Sequence, residues 1–250
     1  REVLSVPLAK AVYLVCRGHH LCKSCSLCSW LRLSGTLDLE RLQAAWQVVI
    51  DRQPGCLLIF EVEQNTGSFS DYRARLRQGV RAPEILVHDL KGLDQEAQDD
   101  ALQKAFCAAL NAEWQLDQWP LHRFEIYDLG AQEYALFLTN EHCISDGIGN
   151  QLLLKMLLLA YEALADGNVG QDAVPMVSDR DFAQTMADLN QETELLIEPK
   201  STSREGESYF WNPGQREIEN HQPHFTAAVH RFSRQESDRL IACAEALGVS

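Results

Sequence analysis

Apolar and polar positions alternate over residues 26–33, with Leu27, Leu31 and Leu33 on one side. This pattern predicts a β-strand, which Gly35 ends. Asp38 then stands in a helix-capping position. Behind it Leu39, Leu42, Ala45, Trp46, Val49 and Ile50 recur at helical spacing and predict an amphipathic helix closed by Pro54-Gly55. A dense apolar run over residues 56–62 predicts a second strand, whereas residues 63–92 are turn-rich and show no clear period. Asp94 caps a second predicted helix, with Ala101, Leu102, Ala105, Phe106, Ala109 and Leu110 on one side. Two strands follow over 124–129 and 134–139, joined by a short turn containing Gly130. Residues 149–165 predict a long helix that is apolar around most of its circumference, the pattern of a well-buried element, and Gly167 stops it.

The character changes over residues 166–222. Pro175, Pro199, Pro213 and Pro223 punctuate a polar, acidic stretch, although residues 181–197 have helical potential. Such composition predicts a crossover or linker between lobes. Alternation over 225–232 predicts another strand. Ser233 and Glu236 then have capping-box spacing before a helix with Leu240, Ile241, Ala244 and Leu247 inward. The organisation expected is thus a first lobe over residues 1–170, a linker over 171–222 and the beginning of a second lobe over 223–250.

The 250 residues, 46% of them hydrophobic, suffice for a sizeable core. A formal net charge of −14 argues against nucleic acid or an anionic membrane as the main partner. The longest apolar run, Leu152 to Ala160 interrupted by Lys155, is short for a bilayer. Arg1 opens the chain with no signal-peptide pattern, as expected of a piece of a longer cytoplasmic protein. Among eight cysteines, Cys22, Cys25 and Cys28 follow His19 and His20 closely, a spacing that invites a zinc reading. No second ligand pair follows, however. In an extended segment Cys22 and Cys28 share one face while Cys25 points to the other. Thiols packed into the fold are the better expectation, with no metal site.

One stretch carries candidate chemistry: Asn140-Glu141-His142-Cys143-Ile144-Ser145-Asp146-Gly147, placed between a strand and the long helix. A histidine at such a junction can act as a base near neutral pH, and Asp-Gly allows a tight turn beside it. Cys143 has no adjacent base except His142, which speaks against a covalent role. Neither a Gly-x-Ser-x-Gly elbow nor a phosphate-binding glycine loop occurs.

The motif and the order of elements resemble the condensation domain of nonribosomal peptide synthetases, within the chloramphenicol acetyltransferase-like superfamily. The family signature is His-His-x-x-x-Asp-Gly before a long helix; here a glutamate, Glu141, replaces the first histidine. Leu4-Ser5-Val6-Pro7-Leu8-Ala9-Lys10 is similar to the family's opening segment, with Lys10 where glutamine is usual. Leu31 to Asp38, Trp119-Pro120-Leu121-His122-Arg123, Tyr209-Phe210-Trp211 and the stretch from Phe232 to Ser250 resemble further family segments, in the right order. Ile50 to Leu57 matches its counterpart poorly.

The resemblance implies an α/β, two-lobed sandwich with a mixed sheet flanked by helices, its second lobe truncated here. It also implies an acyltransferase-type condensation: an amine or hydroxyl acceptor attacks a carrier-bound acyl or peptidyl thioester, in nonribosomal peptide or hybrid polyketide biosynthesis. His142 matches the catalytic histidine; Asp146 matches a structural aspartate that pairs with an arginine; Gly147 would let backbone approach the reacting groups. The partners implied are donor and acceptor carrier proteins and neighbouring synthetase domains. No dissociable cofactor is implied, since phosphopantetheine arrives on the carriers. Glu141 and Asp146 also reproduce the Asp-x-x-x-x-Asp spacing of heterocyclisation domains. The alternatives are therefore a cyclising enzyme and a catalytically silent carrier-docking scaffold.

Overall fold

The computed structural model describes residues 4, 25–62, 72–167, 173–196, 234, 235 and 239. The opening segment after Leu4, the His19–Cys22 cluster, the Tyr209-Phe210-Trp211 stretch and almost all of the expected second-lobe strand and helix lie outside these residues.

The described chain runs β1 (Ser26–Ser34), α1 (Leu39–Arg52), a 3₁₀ turn (Pro54–Leu57), β2 (Leu58–Val62), β3 (Tyr72–Leu76), β4 (Leu86–Asp89), α2 (Gln95–Leu110), β5 (His122–Gly130), β6 (Glu133–Glu141), α3 (Gly147–Ala165) and α4 (Asp179–Leu196). A four-stranded sheet has the order β1-β6-β5-β4. It is mixed: β6 pairs antiparallel with both β1 and β5, while β4 runs parallel to β5. β2 and β3 form a separate antiparallel pair. This is the α/β architecture the sequence predicts, a mixed sheet flanked by helices.

Side-chain alternation explains the layers. Leu136 and Leu138 of β6 and Phe124 and Ile126 of β5 meet Leu42, Trp46 and Val49 of α1 and Leu153, Leu154 and Leu157 of α3. The opposite set, Ala135, Phe137 and Tyr127, meets Leu102 of α2. A third cluster joins the small sheet (Leu58, Phe60, Tyr72, Ala74) to Leu121, Cys143 and Ile144, with Phe182 and Ala183 of α4 against it. The segment expected as linker therefore contributes a helix to this core.

Both predicted aspartate caps are formed as read. Asp38 Oδ1 accepts from the Arg41 N–H at 3.0 Å, and Asp94 Oδ1 from the Ala97 N–H at 2.9 Å. The β5–β6 hairpin turns through Ala131 and Gln132, both at positive φ (50° and 63°), the twist that suits a two-residue connection. Three features differ from expectation. The strand expected from residue 56 starts at Leu58, because Pro54 opens a 3₁₀ turn instead. The unplaced 63–92 stretch contains β3 and β4. Finally α3, at 19 residues, is long and apolar enough by length and composition to cross a bilayer, although the apolar run within it is short. In the fold it packs along one face only: Leu157 and Ala160 are fully buried against the sheet and α1, whereas Ile148, Leu152 and Leu159 are exposed, so the helix is less buried than its apolar sequence predicts.

His122, which opens β5, is 1% exposed. Its Nε2 donates to the Cys56 carbonyl at 3.0 Å, and Trp119 Nε1 donates to the same oxygen at 2.9 Å. That carbonyl thereby joins the 3₁₀ turn to β5. Burial pushes the His122 imidazole down to about 4 from its ordinary 6.5. An unfolded histidine takes up a proton below about pH 6.5, whereas this one resists until about pH 4. Protons in that window favour the unfolded chain. Stability is thus fully present above pH 6.5 and falls as the pH drops toward 4, by up to about 3 kcal/mol. His122→Gln keeps a donor and removes the titration. Urea denaturation at pH 7 and at about pH 4.5 is expected to show a smaller acid loss in that variant. An equal loss in both proteins would remove His122 as the cause.

Candidate active site

The Glu141–Gly147 turn is an extension of β6. The Glu141 N–H donates to Leu121 O at 2.9 Å, just ahead of β5, and the His142 N–H donates to Cys25 O at 2.7 Å, just ahead of β1. The strand is therefore held from both sides up to the histidine. The Ile144 N–H then closes a turn on Glu141 O at 3.1 Å.

The next two side chains anchor the turn. Cys143 is fully buried and Ile144 is 7% exposed, both in the cluster of the small sheet. Cys143 is thus a core residue and its thiol is closed to a substrate, in line with the sequence argument against a covalent role. His142 is half-buried, and Asp146 and Gly147 are exposed. The sequence of in and out positions leaves His142 as the titratable side chain of this turn that is fixed by its backbone yet partly open.

Asp146 has a definite task. It is the N-cap of α3, its Oδ1 accepting from the Gly149 N–H at 2.7 Å while its carbonyl accepts from the Asn150 N–H at 2.9 Å. Its negative charge also lies at the positive end of a long helix. The arginine partner implied by the family pattern is not seen: among the described residues Asp146 is in no ion pair, and the cap fills the structural role. Gly147 opens the helix, and a side chain there would meet nothing within 4 Å. The glycine whose bareness the turn uses is Gly149, which sequence reasoning passed over. A Cβ there would lie 2.5 Å from Ser145 Oγ and 3.3 Å from the capping Asp146 Oδ1.

Glu141 is fully buried. By alternation it shares the α2 face of β6 with Thr139, and it stands opposite Ser26 in the pairing with β1. Ser26 Oγ donates to Ala112 O at 2.9 Å and accepts from Trp114 Nε1 at 2.8 Å. Glu141 and Asp146, which the spacing pairs, thus occupy different settings: one inside the sheet, the other at an exposed helix cap.

The thiols of the sheet region are packed. Burial pushes Cys28 up to about 11 and Cys56 up to about 12, which makes both poor nucleophiles. Cys28 Sγ accepts from Thr139 Oγ1 at 3.7 Å across the β1–β6 pair. Cys25 contributes its backbone carbonyl to His142. Among the described residues no three His, Cys, Asp or Glu side chains cluster as metal ligands would.

With this geometry in place, the comparisons agree on one family. Residues 9–198 match the condensation domain, and the chain belongs to that family. A component of the linear gramicidin synthase of Brevibacillus parabrevis is 30% identical over 155 residues, a match covering 61% of this chain and 3% of that protein. AMB antimetabolite synthetase AmbE of Pseudomonas aeruginosa is 30% identical over 178 residues, covering 71% of this chain and 8% of the synthetase. Among solved structures, the first condensation domain of the calcium-dependent antibiotic synthetase, in complex with a substrate analogue, superposes with a TM-score of 0.64 at 19% identity. That match covers 78% of this chain and 44% of that one. The starter condensation domain of rhizomide synthetase RzmA gives 0.58 at 20% identity, over 75% of this chain and 44% of that one. The chain thus spans a few per cent of the curated synthetases and less than half of these solved domains.

Loss of the α3 cap is measurable without any activity. Asp146→Ala is expected to lower the unfolding free energy by about 1 kcal/mol, and Asp146→Ser to restore most of it. Urea denaturation checks this, and an alanine variant as stable as the parent would remove the capping role.

Proposed function

We propose that this chain supplies the histidine-bearing half of a site that condenses a carrier-bound acyl or peptidyl thioester with an aminoacyl, or hydroxyl, acceptor. The product is an amide or an ester, in cytoplasmic nonribosomal peptide or hybrid polyketide assembly. The observation that carries this reading is the placement of His142. It follows directly on a strand hydrogen-bonded on both sides, its own N–H is held by Cys25 O, and its side chain stays half-open at the start of α3.

The chemistry asks little of the protein beyond placement. The acceptor nitrogen attacks the thioester carbonyl, the carbon–sulfur bond breaks, and the donor carrier leaves with a free thiol. The nitrogen gives up a proton as the amide forms. A neutral imidazole within hydrogen-bond reach takes that proton or orients the amine. Phosphopantetheine arms on the two carriers deliver both reactants, and holding them together supplies a large share of the rate. Asp146 and Gly147 support the site through the turn and the helix start rather than through proton transfer. Glu141 stands where the family signature has its first histidine, and its burial suits a shaping role.

Heterocyclisation is the second reading, resting on the Glu141/Asp146 spacing. The contrast between a buried Glu141 and an exposed, capping Asp146 supports ordinary condensation over a paired-acid mechanism. A silent docking scaffold is the third reading.

A product assay on the intact protein with loaded donor and acceptor carriers distinguishes them. Condensation product is expected from the parent, with a loss of about 10²–10⁴-fold in rate for His142→Ala. An unchanged His142→Ala rate would remove the histidine's role. Thiazoline or oxazoline products would promote the cyclising reading, and an inactive parent that still binds carriers would favour the scaffold.

A further inference from the structure

The sheet face that packs on α1 and α3 is apolar over most of its length, but its end beneath the His142 turn is not. Leu27, Asn140 and His122 form the last row across β1, β6 and β5, and Ser29 stands in the row before it. Asn150 of α3 donates to Ser29 Oγ at 3.4 Å. Trp46 of α1 covers this end, its ring edge-on to His122 with centroids 5.1 Å apart.

The row is tight. The Glu141 N–H to Leu121 O bond makes residues 121 and 141 a hydrogen-bonded pair. The next pair, His122 and Asn140, is therefore a non-hydrogen-bonded one, in which antiparallel side chains approach closest. Trp46, His122 and Asn140 are each no more than 1% exposed.

Each of the three has a polar atom with no partner among the described residues: Trp46 Nε1, His122 Nδ1 and Asn140 Oδ1. Their hydrogen-bonding characters are fixed by their other contacts. His122 Nε2 faces the Cys56 carbonyl at 3.0 Å, which can only accept, so Nε2 carries the proton and Nδ1 is an acceptor. The neutral ring that deep burial enforces agrees with this. Asn140 Nδ2 donates to Glu141 O at 3.1 Å, so Oδ1 is the acceptor end of that amide. Trp46 Nε1 is a donor only. Asn150 Oδ1 of α3 is a further acceptor without a partner among the described residues, while Trp46, His122 and Asn140 supply one donor and two acceptors. A direct bond from Trp46 to either acceptor would leave the other unpaired. A water accepts one hydrogen bond and donates two, which matches all three atoms.

We propose that this polar layer is a binding site for a structural water held by Trp46, His122 and Asn140. The water ties α1, β5 and β6 together immediately before Glu141 and His142. Through Asn140, whose amide also holds Glu141 O, it is a positioning element for the His142 turn.

A crystal structure of the intact protein that resolves ordered waters is the test. A density peak within hydrogen-bond reach of Trp46 Nε1, His122 Nδ1 and Asn140 Oδ1 is expected, and in Asn140→Leu that peak is expected to vanish. No peak in the parent, Trp46 bonded directly to either acceptor, or a peak unaffected by Asn140→Leu would overturn the proposal. Nitrogen-15 spectra of histidine-labelled protein give a check that needs no variant. His122 is expected to carry its proton on Nε2, and a proton on Nδ1 would overturn the assignment.

Discussion

The hydrogen bonding of β6 on both edges is the constraint from which the rest of the site follows. A strand at the interior of a sheet has its backbone fixed by two neighbours, and here the fixing continues past its last residue. The Glu141 and His142 amides are taken by carbonyls that stand just ahead of β5 and β1. The backbone at His142 is therefore set by two segments distant in sequence, those at Leu121 and Cys25. Once it is set, Cys143 and Ile144 turn inward to the small sheet, Asp146 meets the first free N–H groups of α3, and that helix lies along α1. The position of the histidine is a property of the sheet rather than of a loop.

Much of this was legible in the residues, and the reasons are local. Asp38 and Asp94 each precede an apolar helical stripe, and capping depends on a side chain and a backbone amide only three residues apart. The paired strands around Gly130 announce themselves by alternation and a short turn. What was not legible depends on partners far along the chain. β4 exposes Leu86 and Val87 and is a four-residue edge strand, so it carries no alternating pattern. β3, Tyr-Arg-Ala-Arg-Leu, is nearly as short. His122 reads as an ordinary polar strand residue until Trp46 and Cys56 close over it. Gly149 gains its significance only from where Ser145 and Asp146 point.

The two carboxylates of the turn show why spacing alone decides little. Glu141 and Asp146 are five residues apart, yet one is sealed within the sheet and the other meets water at a helix start. The same functional group can be a desolvated wall element or a solvated cap, and its chemistry follows the setting. Family membership fixes the architecture; the role of an unusual residue within it has to be argued from its own surroundings.

The Cys56 carbonyl that receives both Trp119 and His122 has a consequence for how damage spreads. Two rings share a single acceptor, so neither bond is an independent quantity. Removing one ring alters the geometry and strength of the other's contact, and substitutions at the two positions will combine non-additively. The join between the 3₁₀ turn and the large sheet is thus one cooperative unit. In such a unit an inherited change at Trp119 alters how much any later change at His122 matters.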